Sequence, residues 1–172
     1  SKFQAISLSG QFNGSALTTN AAVTVAVTTA ADQAQVVSQA FAFSTTTVAA
    51  GSFTINGTTF TTTASDTVAN VLARINATQG QTGVRAEFTD GGTITLTNVN
   101  YGSNFRVDLS DANGVLLAAA GSTTDTGTDA VATVSIDTNG TTAGGVTTVT
   151  FTGGRYGQSA LKLTDNEGNS IM

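Results

Sequence analysis

Carboxylates are the only side chains in this sequence with the makings of catalysis. The 172 residues contain no histidine and no cysteine. The usual general base, the strongest side-chain nucleophile and the commonest transition-metal ligands are therefore missing together. Asp108 and Asp111 are close enough to suggest an acid pair, which could cleave a glycosidic bond if the groups faced each other across about 5–9.5 Å. Their context favours a plainer reading. Asp108 alternates with Val107 and Leu109 on the outer face of a strand, and Asp111 opens an Asp-Ala-Asn113-Gly114 turn. Calcium would need several hard oxygen ligands in that loop. The EF-hand order is absent, and Ala119 stands where a loop starting at Asp108 would need its bidentate Glu. The second acidic turn, Asp165-Asn166-Glu167-Gly168, also reads as a hairpin turn. No residue is assigned a catalytic, cofactor-binding or metal-binding role, no cofactor is expected, and the chain reads as non-enzymatic.

Other signatures point the same way. No G-x-S-x-G, P-loop or G-x-G-x-x-G spacing occurs, so Ser-hydrolase, nucleotide and dinucleotide chemistry have no foothold. Tyr101 and Tyr156 could stack on a sugar, but half-buried packing at strand corners is the preferred reading. Arg74 and Arg106 are expected to lie along apolar surface by their stems. Asn13, Asn56, Asn76 and Asn139 each open an N-glycosylation tripeptide, as chance provides in a chain this rich in Asn, Gly and Thr. The net charge is −5 and the six basic residues are scattered. Nothing clusters to neutralise phosphates, so neither nucleic acid nor an anionic membrane is an expected partner. No apolar run approaches the roughly 20 residues that span a bilayer. The first residues, Ser1-Lys2-Phe3-Gln4, lack the pattern of a secretory signal.

The elements that must carry these residues are mostly β. Charged residues make up 10% of the chain, far below the roughly 25% of an ordinary soluble domain. Thr, Ala and Gly take their place; branched Thr and Val favour strands, and Gly and Asn supply turns. Apolar alternation marks Val23–Thr28. Ala30–Gln39 fits a short helix capped by Asp32 or, equally, a strand. Phe53–Phe60 reads as strand, Asn56-Gly57 turn, strand. Ser65-Asp66 offers a helix cap before Val68, Val71, Leu72 and Ile75, which share one helical face, and Gly80 is placed to stop that helix. Val84–Thr89 and Thr93–Thr97 make a second hairpin around Asp90-Gly91-Gly92. Arg106–Ser110 is a further strand. Ala118–Asp129 has no periodicity and reads as a linker or long loop. Strand patterns resume at Val131–Ile136, Val146–Thr152 and Ala160–Thr164. Thr93, Thr95, Thr97, Tyr101 and Gly102 recur as Thr148, Thr150, Thr152, Tyr156 and Gly157, which suggests a repeated strand-corner unit.

The fold class expected is mostly β (α+β), with antiparallel hairpins and one short helix near 66–79. Three parts are expected: a β-rich segment 1–50 that pairs with C-terminal strands, because neither alone has obvious edge protection; a β/α/β unit at 51–118; and a linker with a second β unit at 119–172 that echoes 93–114.

Gly51-Ser-Phe53-Thr-Ile55-Asn56-Gly57, Asp66-Thr67-Val68 opening a helix that ends in Arg74-Ile75-Asn76, Thr82-Gly83-Val84-Arg85-Ala86, Ile94–Thr97 and Tyr101-Gly102-Ser103 together resemble the flagellin hook IN motif. Phe12-Asn13-Gly14 is similar to the junction where a flagellin helical region gives way to its insert. The resemblance covers roughly a third of the chain. It implies the outer, central region of a bacterial flagellin, or of a related hook-associated or cap protein. It further implies a structural role in the filament exterior and motility, copies of the parent subunit as partners, and O-linked sugars on surface Ser and Thr. The location implied is extracellular, on the flagellum, reached without a cleavable signal peptide. Helical assembly segments have no counterpart here. A second reading, an adhesin-like or glycan-binding β domain of a secreted surface protein, fits the same composition.

Overall fold

A computed structural model describes residues 11–12, 15–16, 22–137 and 146–153 of the chain. The fold is mostly β with antiparallel sheets and a short helix. It divides into two compact units: one holds the described residues up to Ala30 together with Ala130–Gly153, the other is Ala31–Asp129.

Among the described residues, the buried apolar cluster lies in the second unit. Its strands are β4 (Gln33–Ala40), β5 (Gly51–Ile55), β6 (Thr58–Thr62), β7 (Val84–Phe88), β8 (Thr93–Tyr101), β9 (Arg106–Asp111) and β10 (Gly121–Thr126), with helices α1 (Val68–Ala77) and α2 (Gln79–Thr82). One sheet runs β10-β9-β5-β6 and another β4-β8-β7, with every pairing antiparallel. Inward residues follow the period of two that a strand imposes. Ala34 and Val36 alternate on β4, Phe53 and Ile55 on β5, Ile94 and Leu96 on β8, and Val107 and Leu109 on β9, all buried. Phe53 and Phe60 are cross-strand partners whose rings stack with centroids 5.2 Å apart. Asn56 (φ 48°) and Gly57 (φ 82°) both occupy left-handed space, as a two-residue hairpin turn on twisted strands requires.

The two possibilities for Ala30–Gln39 resolve as a strand. Ala34, Val36 and Ser38 are buried while Gln35 and Val37 are exposed, which is strand spacing. Where the β4–β8 register slips between Val37 and Ala40, the Ser38 hydroxyl accepts the Ile94 N–H at 2.8 Å in place of a ladder carbonyl. Helix α1 buries Val68, Val71 and Ile75, with Leu72 packed at the margin. Its boundaries differ from expectation at both ends. The cap is Thr67 rather than Ser65 or Asp66: the Thr67 hydroxyl accepts from Asn70 N–H while the Asn70 side chain accepts from Thr67 N–H. That reciprocal box satisfies two N–H groups, and Val68 and Ala69 donate theirs to Thr46 and Ser44 carbonyls. At the far end the Thr78 hydroxyl donates to the Arg74 and Ile75 carbonyls. The chain then continues through α2, and Gly83 (φ 69°) supplies the left-handed stop in place of Gly80.

The expected linker, Ala118–Asp129, contains β10 instead. Six consecutive positions, Gly121 to Thr126, pair with Asp111 to Arg106. Exposure on both faces of β10 is what removed the apolar period. The expected divisions at 50/51 and 118/119 accordingly fall inside the second unit, because β4 belongs to the β8 sheet and β10 to the β9 sheet.

That unit is closed where the chain enters and leaves. Asp32 and Thr128 form an antiparallel bridge, with Asp32 N–H on the Thr128 carbonyl at 3.0 Å. The Asp32 carbonyl accepts from both Gly102 and Thr128 N–H. Asp129 holds Ser103 through backbone N–H and hydroxyl, each at 2.7 Å.

The other unit contains β1 (Gln11–Phe12) paired with β2 (Ser15–Ala16), and a sheet of order β12-β11-β3 from β3 (Ala22–Thr29), β11 (Ala130–Asp137) and β12 (Val146–Gly153). β11 is antiparallel to both neighbours. Thr148, Thr150 and Thr152 of the repeat lie in β12, while its Tyr156-Gly157 corner and the strand expected at Ala160–Thr164 lie outside the described residues.

Gly127 decides whether the closure can form. A Cβ there would sit 2.6 Å from the Asp32 carbonyl oxygen and 2.7 Å from that of Gly102. Backbone atoms cannot rotate away as a side chain can, so Gly127→Ala is expected to cost about 3 kcal/mol, read as a lowered midpoint in urea unfolding with an unchanged slope.

Candidate functional site

The two carboxylates singled out as a possible acid pair project from opposite faces of β9. Val107, Leu109 and Asp111 are buried on the inner face, whereas Asp108 faces outward and accepts the Thr124 hydroxyl across the β10 register at 3.0 Å. A pair divided by a sheet cannot grip one bond. Asp111 is 0% exposed, and its oxygens take the backbone N–H groups of Val115, Leu116 and Leu117 at 2.9, 2.7 and 2.8 Å. The neighbouring Asn113 Oδ1 accepts Ser52 N–H at 2.9 Å. Oxygens that a calcium ion would need are thus committed to backbone, and among the described residues no group of three or more acidic, His or Cys side chains is placed to hold a metal. Tyr101 is half-buried at the end of β8; Tyr156 and the second acidic turn lie outside the described residues.

What the sequence does place together is two Ile-Asn pairs with a shared job. Ile55 and Ile75 are both 0% exposed core residues, and each fixes the Asn that follows it at the core's margin. Asn56 Nδ2 donates to the Thr82 carbonyl at 2.8 Å and the Arg106 carbonyl at 3.1 Å, while its Oδ1 accepts Asp108 N–H at 2.8 Å. It ties the β5–β6 turn to the end of α2 and to β9. Asn76 donates to the Ala86 carbonyl at 3.0 Å and accepts Ala86 N–H at 2.8 Å. Its amide occupies the open side of β7 as another strand's peptide would. Asn98 adds a bond to the Arg106 carbonyl at 2.9 Å. Both hydrogens of Asn56 Nδ2 are used, which leaves none for a glycan to replace without breaking the junction.

Arg74 does more than cover apolar surface. Its guanidinium forks onto both Asp66 oxygens and reaches the Thr61 carbonyl at 2.8 Å, a geometry that suits arginine. Asp66 also accepts Thr63 N–H at 2.7 Å. The Arg74 guanidinium, with the Thr63 N–H, holds the Asp66 carboxyl below its ordinary value. Sequence reasoning missed this pair by assigning Asp66 to the helix cap; the spacing of eight residues spans a turn and two helical turns, so no local rule flags it. By contrast the Arg85–Glu87 pair at 3.0 Å is well exposed and contributes little. The depression bounded by Phe53, Phe60, Val71 and Arg74 is too shallow to enclose a ligand, and no helix among the described residues is long and apolar enough to cross a membrane.

The family model described as the flagellin hook IN motif matches residues 52–100. No curated protein matches the chain. The matched segment runs from β5 through β8 and includes both Ile-Asn pairs, the Asp66–Arg74 fork and the capping box. Residues 52–100 are thus similar to the flagellin hook IN motif, which supports a flagellin-type central region.

Two substitutions separate the supports. Asp111→Ala strands two buried N–H groups and a third that is part-buried, and is expected to cost about 3 kcal/mol, read by thermal and urea unfolding; Asp111→Asn keeps one acceptor oxygen and should lose less. Asp66→Asn should lower Tm at neutral pH. The folded carboxyl titrates below its ordinary value, so its contribution is complete above about pH 4 and vanishes as pH falls through the folded value. The Tm gap between Asp66→Asn and the parent should therefore narrow below about pH 4.

Proposed function

We propose that this chain is the solvent-facing part of a flagellin-type filament subunit, a displayed structural domain without catalytic activity. The observation that carries the reading is the hook IN motif at residues 52–100, seated in a unit whose polar side chains are largely turned onto its own backbone. Such a surface suits a polymer exterior. It is hydrated by Thr, Ser and Asn, it is low in charge at 10% charged residues, and it offers no chemically armed cleft among the described residues. Copies of the parent subunit are the partners this reading requires. An extracellular place on the flagellum follows from it, and exposed Ser and Thr are available to carry O-linked sugars.

These 172 residues contain no cysteine of their own to compete with an introduced one. Thr59 and Ser65 are exposed, whereas Val71 is 1% exposed. In cells that assemble the parent protein, Thr59→Cys and Ser65→Cys should react with a membrane-impermeant maleimide dye along the whole filament, and Val71→Cys should stay dark. A parent protein that builds no filament, or filaments in which both exposed sites resist the dye, would overturn the proposal.

A further inference from the structure

Four Asn-Gly pairs occur in the chain, opening at Asn13, Asn56, Asn113 and Asn139. An Asn side chain is chemically labile when the next backbone nitrogen can reach its amide carbon, and glycine puts no Cβ in the way of that approach. Asn13 and Asn139 lie outside the described residues. Asn56 and Asn113 both stand at turns, each followed by a glycine in left-handed space, Gly57 at φ 82° and Gly114 at φ 66°. Their side chains are held in different ways.

Asn56 is half-buried and fixed at both ends of its amide. Its Nδ2 donates to the Thr82 and Arg106 carbonyls, and its Oδ1 accepts Asp108 N–H. Swinging Cγ toward the Gly57 nitrogen would pull the hairpin turn off α2 and β9. Asn113 is exposed, on the turn that follows β9. Its Oδ1 accepts the Ser52 N–H at 2.9 Å and, at greater length, the Ser52 hydroxyl at 3.4 Å. Donors at that oxygen favour attack on Cγ, because they stabilise the negative charge that gathers there as the carbon turns tetrahedral. Asn56 has such a donor too, in Asp108 N–H. The contrast therefore lies in exposure and in the bonds that tie Asn56 Nδ2 to backbone.

We propose that Asn113-Gly114 is a site of self-modification, at which the folded chain converts a neutral amide into a carboxylate. The Gly114 backbone nitrogen gives its proton to solvent base and forms a bond to Asn113 Cγ. The Cγ–Nδ2 bond breaks, and the nitrogen takes a proton from water and leaves as ammonia. Water then opens the cyclic imide. Hydrolysis at Cγ yields an ordinary Asp, and hydrolysis at the Asn113 backbone carbonyl carbon yields an isoaspartyl linkage. Nothing is oxidised or reduced, and water is the only co-reactant. The products differ in fit. Asp keeps an acceptor for the Ser52 N–H. The isoaspartyl linkage adds a methylene to the main chain between Asp111 and the Val115, Leu116 and Leu117 N–H groups that its carboxylate holds. Ageing thus adds negative charge to this surface and loosens the turn in a fraction of the molecules. The site belongs to the chain itself and does not depend on the filament reading.

The full 172-residue chain is to be aged at mildly alkaline pH, both folded and in concentrated guanidinium chloride, with the amide-to-acid conversion at each Asn followed by tandem mass spectrometry. In the folded chain Asn113 should convert at least about tenfold faster than Asn56, the effect of the extra bonds at Asn56 Nδ2. In guanidinium the two should convert at similar rates. A smaller ratio in the folded chain overturns the proposal. So does a folded chain whose Asn113 stays intact while the unfolded one converts, because the Ser52 contact then locks that side chain as firmly as the junction locks Asn56. A ratio that persists in guanidinium also overturns it, since local sequence and not the fold would then set the difference.

Discussion

The fold of Ala31–Asp129 depends on finding partners for backbone groups where hydrogen-bonded ladders stop. Burying an unpaired N–H or carbonyl costs more than an average hydrogen bond contributes, so each strand end, bulge and helix terminus in a small unit is a liability. The carboxylate of Asp111 meets the most demanding case. After β9 the chain reverses with three successive N–H groups directed inward, and one buried side chain accepts them all. Without it, Val115 and Leu116 could not sit fully buried under the sheet.

The same constraint explains a composition with few charges. Asp32 accepts Gln33 N–H, Asp66 that of Thr63, Asp90 that of Ser44, Asp125 that of Gln35 and Asp129 that of Ser103. Aspartate here is chiefly an acceptor for backbone, and where it meets a cation, at Arg74, it does so while serving a backbone N–H as well. Asn performs the two-sided version, donor and acceptor at once, at residues 56 and 76. Groups committed in this way are withdrawn from solvent chemistry, and acid residues near in sequence therefore form no cluster in space among the described residues.

Much of the architecture was legible in the sequence because it rests on local rules. The Asn56-Gly57 hairpin follows from which residues tolerate positive φ. The buried face of α1 follows from the spacing of Val68, Val71 and Ile75. The resemblance to the hook IN motif was carried by residues 51–103 in order, and the matched span is 52–100. Features set by distant partners were not legible. β10 looks like a linker because its strand identity comes from β9, with no apolar period of its own. Thr67 outcompetes Asp66 as cap because Arg74, eight residues on, holds that carboxylate. Asp111 was placed in a turn, correctly as to position, but nothing in Asp-Ala-Asn-Gly tells that its side chain turns inward to meet Leu116 and Leu117. Asn76 at a helix end reads as ordinary surface until β7 is laid beside it.

Closure at the base of the unit bears on the proposed display role. The chain enters and leaves the unit beside the Asp32–Thr128 bridge, and Gly127 lacks a side chain where the Asp32 and Gly102 carbonyls crowd in. Edges are plugged from within, the core is supplied by the unit's own strands and helix, and the polar groups find partners inside Ala31–Asp129. A module bounded in this way places few demands on the sequence of its exposed faces, where Thr, Ser and Asn can be exchanged without disturbing a backbone partner. On the proposed reading, the hook IN segment is the part of the displayed surface that cannot drift freely, because its Ile-Asn pairs join hairpin, helix and sheet at two points. The bonds that commit these polar groups to backbone are also the ones that hold the unit's exterior in shape.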